Sequence, residues 1–110
     1  MTGKFQLYRD AAGEFRFSLK SSIGEVVLSS EGYATKAAAL NGIEAVRQHA
    51  DDPVMYEKSG TADGEHRFTL TAGAHQVVGH SQDYDSASSR DKGIAAVGRA
   101  ADGAPIDDQT

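Results

Sequence analysis

The run Asn41-Gly42-Ile43-Glu44-Ala45-Val46 returns fifty-one positions later as Lys92-Gly93-Ile94-Ala95-Ala96-Val97. At the same offset Arg16/Arg67, Phe17/Phe68, Leu19/Leu70, Val26/Val77, Val27/Val78, Ser30/Ser81, Tyr33/Tyr84 and Asp51/Asp102 are identical pairs. No gap is needed from Gly13/Gly64 onward. A chain of 110 residues built this way is a tandem duplication. One copy, at about 50 residues, would bury too little of its surface to be secure alone. The copies are therefore expected to share one core and to form a single domain, 1–110, with repeats at 4–52 and 54–102.

Hydrophobic periodicity assigns the parts of each copy. Phe5-Gln6-Leu7-Tyr8 alternates and reads as a strand, and Asp10-Ala11-Ala12-Gly13 reads as a turn. In Glu14–Lys20, Phe15, Phe17 and Leu19 point one way and Arg16 and Ser18 the other. Glu25-Val26-Val27-Leu28-Ser29-Ser30 is a third, β-branched strand. From Lys36 the period lengthens, and Leu40, Ile43, Val46 and Ala50 form one helical stripe behind a Thr35 cap. Pro53 stops it. The second copy repeats this order, with strands near 54–59, 65–71 and 75–81 and a Ser86-capped helix ending near Ala101. Gly103-Ala104-Pro105 opens a polar tail, 103–110, expected to be flexible.

These residues carry a resemblance. Phe-x-Phe-x-Leu, the run Glu-Val-Val-Leu-Ser-Ser-Glu-Gly-Tyr from Glu25 to Tyr33, and Asn-Gly-Ile-Glu-Ala-Val resemble the YegP-like family of small bacterial proteins of unknown function. The resemblance spans about 5–102. It implies an α+β fold of two tandem β-β-β-α repeats joined into one antiparallel six-stranded sheet. Both helices would lie on one face and be exchanged between the repeats. It carries over no catalytic residue. The second copy departs from the pattern, with Lys92 in place of the Asn and Gly98 in place of a basic residue.

Composition narrows the function. The net charge is −5 and no basic stripe is present, which argues against duplex nucleic acid and anionic membrane surfaces. There is no cysteine, so disulfide and thiolate chemistry are excluded and a cytoplasmic location fits. The opening Met1-Thr2-Gly3-Lys4-Phe5 has no apolar run, so no secretory signal is expected. His49, His66, His75 and His80 lack metal-ligand spacing, and no metal or cofactor is expected. No nucleophile elbow and no phosphate loop occurs.

The favoured reading is a monomeric, internally pseudo-two-fold binding or protein-interaction module that uses its open sheet face. Strand alternation puts Arg16, Arg67, Val27, Val78 and Tyr8 on that face, where a protein or a small anionic ligand would dock. The alternative is a small enzyme with its site at the junction of the repeats. Gly42 and Gly93 read as packing glycines beside Ile43 and Ile94. Tyr33 and Tyr84 read as structural rings laid against the helices.

Overall fold

A computed structural model describes residues 2–73 and 76–110. Its elements are β1 (Lys4–Arg9), β2 (Phe15–Lys20), β3 (Val26–Ser29), α1 (Lys36–His49), a short 3-10 turn (Pro53–Met55), β4 (Tyr56–Gly60), β5 (His66–Thr71), β6 (Val77–His80), α2 (Ala87–Ala101) and β7 (Ile106–Asp108). Both caps form as the sequence predicts: Thr35 Oγ1 accepts from the Ala38 amide at 3.1 Å and Ser86 Oγ from the Ser89 amide at 3.0 Å. Each satisfies one amide that the first helical turn leaves without a partner.

The strands form one sheet in the order β4-β5-β6-β3-β2-β1-β7. Neighbours from β4 to β1 are antiparallel, but β7 runs parallel to β1, so the sheet is mixed and has seven strands rather than six. The segment read as a flexible tail supplies the seventh. The Phe5 amide donates to the Pro105 carbonyl at 2.9 Å and the Gln109 amide to the Leu7 carbonyl at 2.8 Å. Lys4 and Lys36 pair with Asp107 and Asp108. An edge strand offers unpaired backbone groups, and these hold a segment whose side chains carry no strand signal. Hydrogen bonding explains what periodicity could not.

The two halves meet where β3 and β6 pair, at Ser29 and His80. α1 rests on β2, β5 and β6, and α2 on β1, β2, β3 and β5, so each helix covers strands of both repeats. The shared core holds Phe5, Leu7, Phe17, Leu19, Ile43 and Val46 from the first repeat with Phe68, Leu70 and Val97 from the second, all fully buried. At the pseudo-dyad, Leu28 lies against Gly79, its own counterpart. A Cβ on Gly79 would stand 2.7 Å from Leu28 Cγ and Cδ2.

Two locks hold each meander to the segment that leads into its helix. Tyr33 exchanges both backbone hydrogen bonds with Phe15 at 2.8 Å, and its ring stacks on Phe17 at 6.3 Å. Its hydroxyl then sits over Gly42, where a Cβ would stand 2.6 Å away, and 3.0 Å from the Phe17 ring. Tyr84 repeats the arrangement with His66, Phe68 and Gly93. The second lock is a serine. Ser30 Oγ accepts from the Phe17 amide at 2.8 Å and donates to the Glu31 carbonyl at 2.8 Å. Ser81 does the same with Phe68 and Gln82.

Two outcomes follow. Fragment 1–53 carries a helix whose sheet partners lie partly in the other repeat, so light scattering should find it unfolded or dimeric, and a cooperative folded monomer would contradict this. Gly42→Ala and Gly93→Ala gain helix propensity but force a Cβ into a ring pinned on both sides. Each should lose about 1–3 kcal/mol by overpacking in a denaturant melt.

Candidate functional site

Side chains of directly paired residues share a face of the sheet. Following the pairs across all seven strands gives one continuous line: Glu57, Thr69, His80, Ser29, Ser18, Gln6 and Asp107. Every member is polar, and the line lies on the face away from the helices. Arg16 and Tyr8, paired across β2 and β1, stand beside it, as does Arg67, paired with Ser59.

The two arginines are already occupied. Arg16 Nε donates to Asp10 Oδ2 at 2.6 Å, and Asp10 Oδ1 accepts from the Ala12 and Glu14 amides. The Arg16 hydrogen bond, with those amides, holds the Asp10 carboxyl below its ordinary range. Arg67 Nη2 lies 2.9 Å from Asp83 Oδ1. Three strand spacings separate β2 from β5, and the arginines lie two residues to either side of the polar line. Their Cα atoms are therefore about 20 Å apart. Seated on Asp10 and Asp83 at that separation, they do not converge on one carboxylate or phosphate.

Val27 and Val78 are not on this face. They are buried, 7% and 3% exposed, Val27 near Ala96 and Ala100 of α2 and Val78 near Ala38 and Ala45 of α1. The cause is a register shift in each repeat, between Leu19 and Lys20 and between Leu70 and Thr71. A bulge breaks strict alternation, so Val27 and Leu28 are both buried and Val26, paired with Lys20, is 40% exposed. His80 is exposed within the polar line; His75 lies outside the described residues. Among the described residues no cluster of His, Asp or Glu has the arrangement of a metal site, and no helix is long and apolar enough to cross a membrane.

On the helix side a cavity of about 530 Å³ opens where the end of α1 meets α2. Tyr56, Ile94, Ala50 and Pro53 form its apolar wall, with Asp51, Asp91, Asp102 and Arg99 around it. The Tyr56 hydroxyl donates to the Ala50 carbonyl at 2.6 Å, and burial, with the nearby Asp51 charge, pushes that phenol far up and keeps it protonated. Asp91 is held low by Lys58 and Arg90. Gly98 lines the cavity. The departure at Gly98 is legible in the sequence, but the space it leaves becomes visible only once α2 is seated over Tyr56.

The DUF1508 model, a domain of unknown function, matches twice, at residues 10–57 and 62–108. The chain belongs to the DUF1508 family. A UPF0339 protein from the 5′ region of the ptx operon of Stutzerimonas stutzeri is 50% identical over 88% of this chain and 87% of that one. The UPF0339 protein YegP of Escherichia coli O157:H7 is 43% identical over 88% of each. The solution NMR structure of E. coli yegP, a protein of unknown function, superposes with a TM-score of 0.95 at 39% identity, covering 100% of this chain and 95% of that one. That of a UPF0339 protein from Shewanella oneidensis gives 0.91 at 37% identity, covering 98% and 92%. The resemblance to YegP-like proteins therefore stands, and these relatives are uncharacterised.

Proposed function

We propose that this DUF1508 chain is a non-enzymatic binding module, a cytoplasmic monomer that engages a protein partner through the outer face of its sheet. One observation carries the reading. An unbroken line of polar side chains, one from each strand, crosses a face that neither helix covers. Such a face presents hydrogen-bonding side chains of both kinds across one sheet, which suits a polar protein surface. Tyr8 beside Arg16 adds the residue types enriched at interface anchors. A protein partner is favoured over a small anion because each arginine already holds a carboxylate and the two do not converge. The charge of −5 disfavours duplex nucleic acid.

Two features of the helix-side cavity favour binding over catalysis. Its phenol is spent on the Ala50 carbonyl, and Asp91 is paired with Lys58 and Arg90. The seating of each helix over both repeats supports reading the helices as exchanged, with units at 4–52 and 54–102.

The triple variant Tyr8→Ala, Arg16→Ala, Arg67→Ala tests the proposal. The Arg67–Asp83 pair is exposed and the Arg16–Asp10 pair half-buried, so the melting temperature should fall only modestly. Proteins captured from native lysate by the parent should be lost to the variant and kept by Gly98→Arg, which alters only the opposite side. Retention of every partner by the triple variant would leave this face a solvated surface.

A further inference from the structure

The internal duplication supplies an occupied copy of the Gly98 cavity. At the fifty-one-residue offset Gly98 corresponds to Arg47, Tyr56 to Phe5, Pro53 to Ala104 and Ile94 to Ile43. In the first half the Arg47 guanidinium lies 5.4 Å above the Phe5 ring. Its Nη2 donates to the Ala104 carbonyl at 2.6 Å and its Nη1 to Glu44 Oε1 at 2.6 Å. Ring, carbonyl and carboxylate thus form a complete receptor for a guanidinium, filled from within the chain. Phe5 and Ile43 beneath it are fully buried.

In the second half part of that receptor remains and its occupant is gone; the Pro53 carbonyl, counterpart of Ala104's, accepts from the Tyr56 amide and keeps one lone pair. Tyr56 replaces Phe5, keeping an aromatic ring whose hydroxyl is tied back to Ala50. Pro53 lies where Ala104 lies, and Ile94 is only partly buried because no side chain from position 98 covers it. The carboxylate of Glu44 has no counterpart at Ala95, but Asp91 stands one turn earlier on α2 and lines the same space. Asp51 and Asp102 add two carboxylates with no ion-pair partner among the described residues. Arg99 is the opposing charge, and Lys58 and Arg90 partly neutralise Asp91. The three carboxylates lining the cavity outnumber the one cation that lines it.

We propose that the cavity opened by Gly98 receives an arginine-type guanidinium group from outside the chain, as its counterpart receives Arg47 from within. The site is separate from the outer sheet face, and its test does not depend on that reading. A flat, delocalised cation stacks on a ring and bonds a carbonyl at once, which a compact ammonium does less well.

Amide shifts of the full-length protein, titrated with ethylguanidinium chloride at fixed ionic strength, decide the matter. Saturable shifts are expected at Tyr56, Ile94 and Gly98, with n-butylammonium at least several-fold weaker. In Gly98→Arg the grafted side chain should occupy the cavity and abolish saturation. That variant should fold, since a Cβ at 98 meets only the Ala50 carbonyl, at 3.4 Å. Gly98→Gln, smaller and uncharged, guards against misfolding and should also weaken binding. N-acetylarginine amide binding as well as free arginine assigns the guanidinium to a polypeptide side chain; preference for free arginine assigns it to a small molecule. Shifts that never saturate, or that persist unchanged in both Gly98 variants, overturn the proposal.

Discussion

The contact between Leu28 and Gly79 holds the two repeats to one geometry. The sheet crosses from one half to the other through the pairing of Ser29 with His80, a short seam for a domain whose core is continuous. Leu28 and Gly79 are the same position in the two copies, and they face each other across the pseudo-dyad. Two leucines there would collide, and two glycines would leave a void, which costs stability in proportion to its volume. One large and one absent side chain fill the space. The duplication has therefore become asymmetric at its centre, beneath two helices that each rest on strands of both repeats.

Divergence elsewhere follows the same logic with different results. At Arg47 and Gly98 one copy seats a guanidinium on its own ring and carbonyl and the other leaves a cavity. At Tyr8 and Ser59 only the first copy places an aromatic ring opposite its arginine. The locks, in contrast, are kept in both copies: Tyr33 over Gly42 and Tyr84 over Gly93, Ser30 on Phe17 and Ser81 on Phe68. What both halves need to hold the strand-to-helix loop and seat the helix has stayed the same. What lies beyond the seating has changed.

Much of this was legible in the residues. Repetition at a fixed offset defined the two units, and alternation around Phe17 and Phe68 identified the buried face. Thr35 and Ser86 marked the helix starts by their hydroxyls. The outward placement of Arg16, Arg67 and Tyr8 came from the same alternation. Other features depend on forces that one segment does not display. β7 is built from backbone bonds to β1, so its side chains Asp107 and Asp108 carry no strand pattern. Val27 and Val78 are buried because of bulges, which are set by pairing with β2 and β5. The cavity at Gly98 exists only because α2 passes over Tyr56.

A double-mutant cycle at the seam tests the central claim most directly. Leu28→Gly should be strongly destabilising through loss of a buried side chain, and Gly79→Leu through overpacking. The exchanged protein, carrying both changes, restores one large and one absent side chain in mirror order. Denaturant melts should then show the double variant far more stable than the sum of the single losses predicts, with a coupling of about 1–3 kcal/mol. Additive losses would mean that the two positions do not share one space, and that the halves are held together elsewhere.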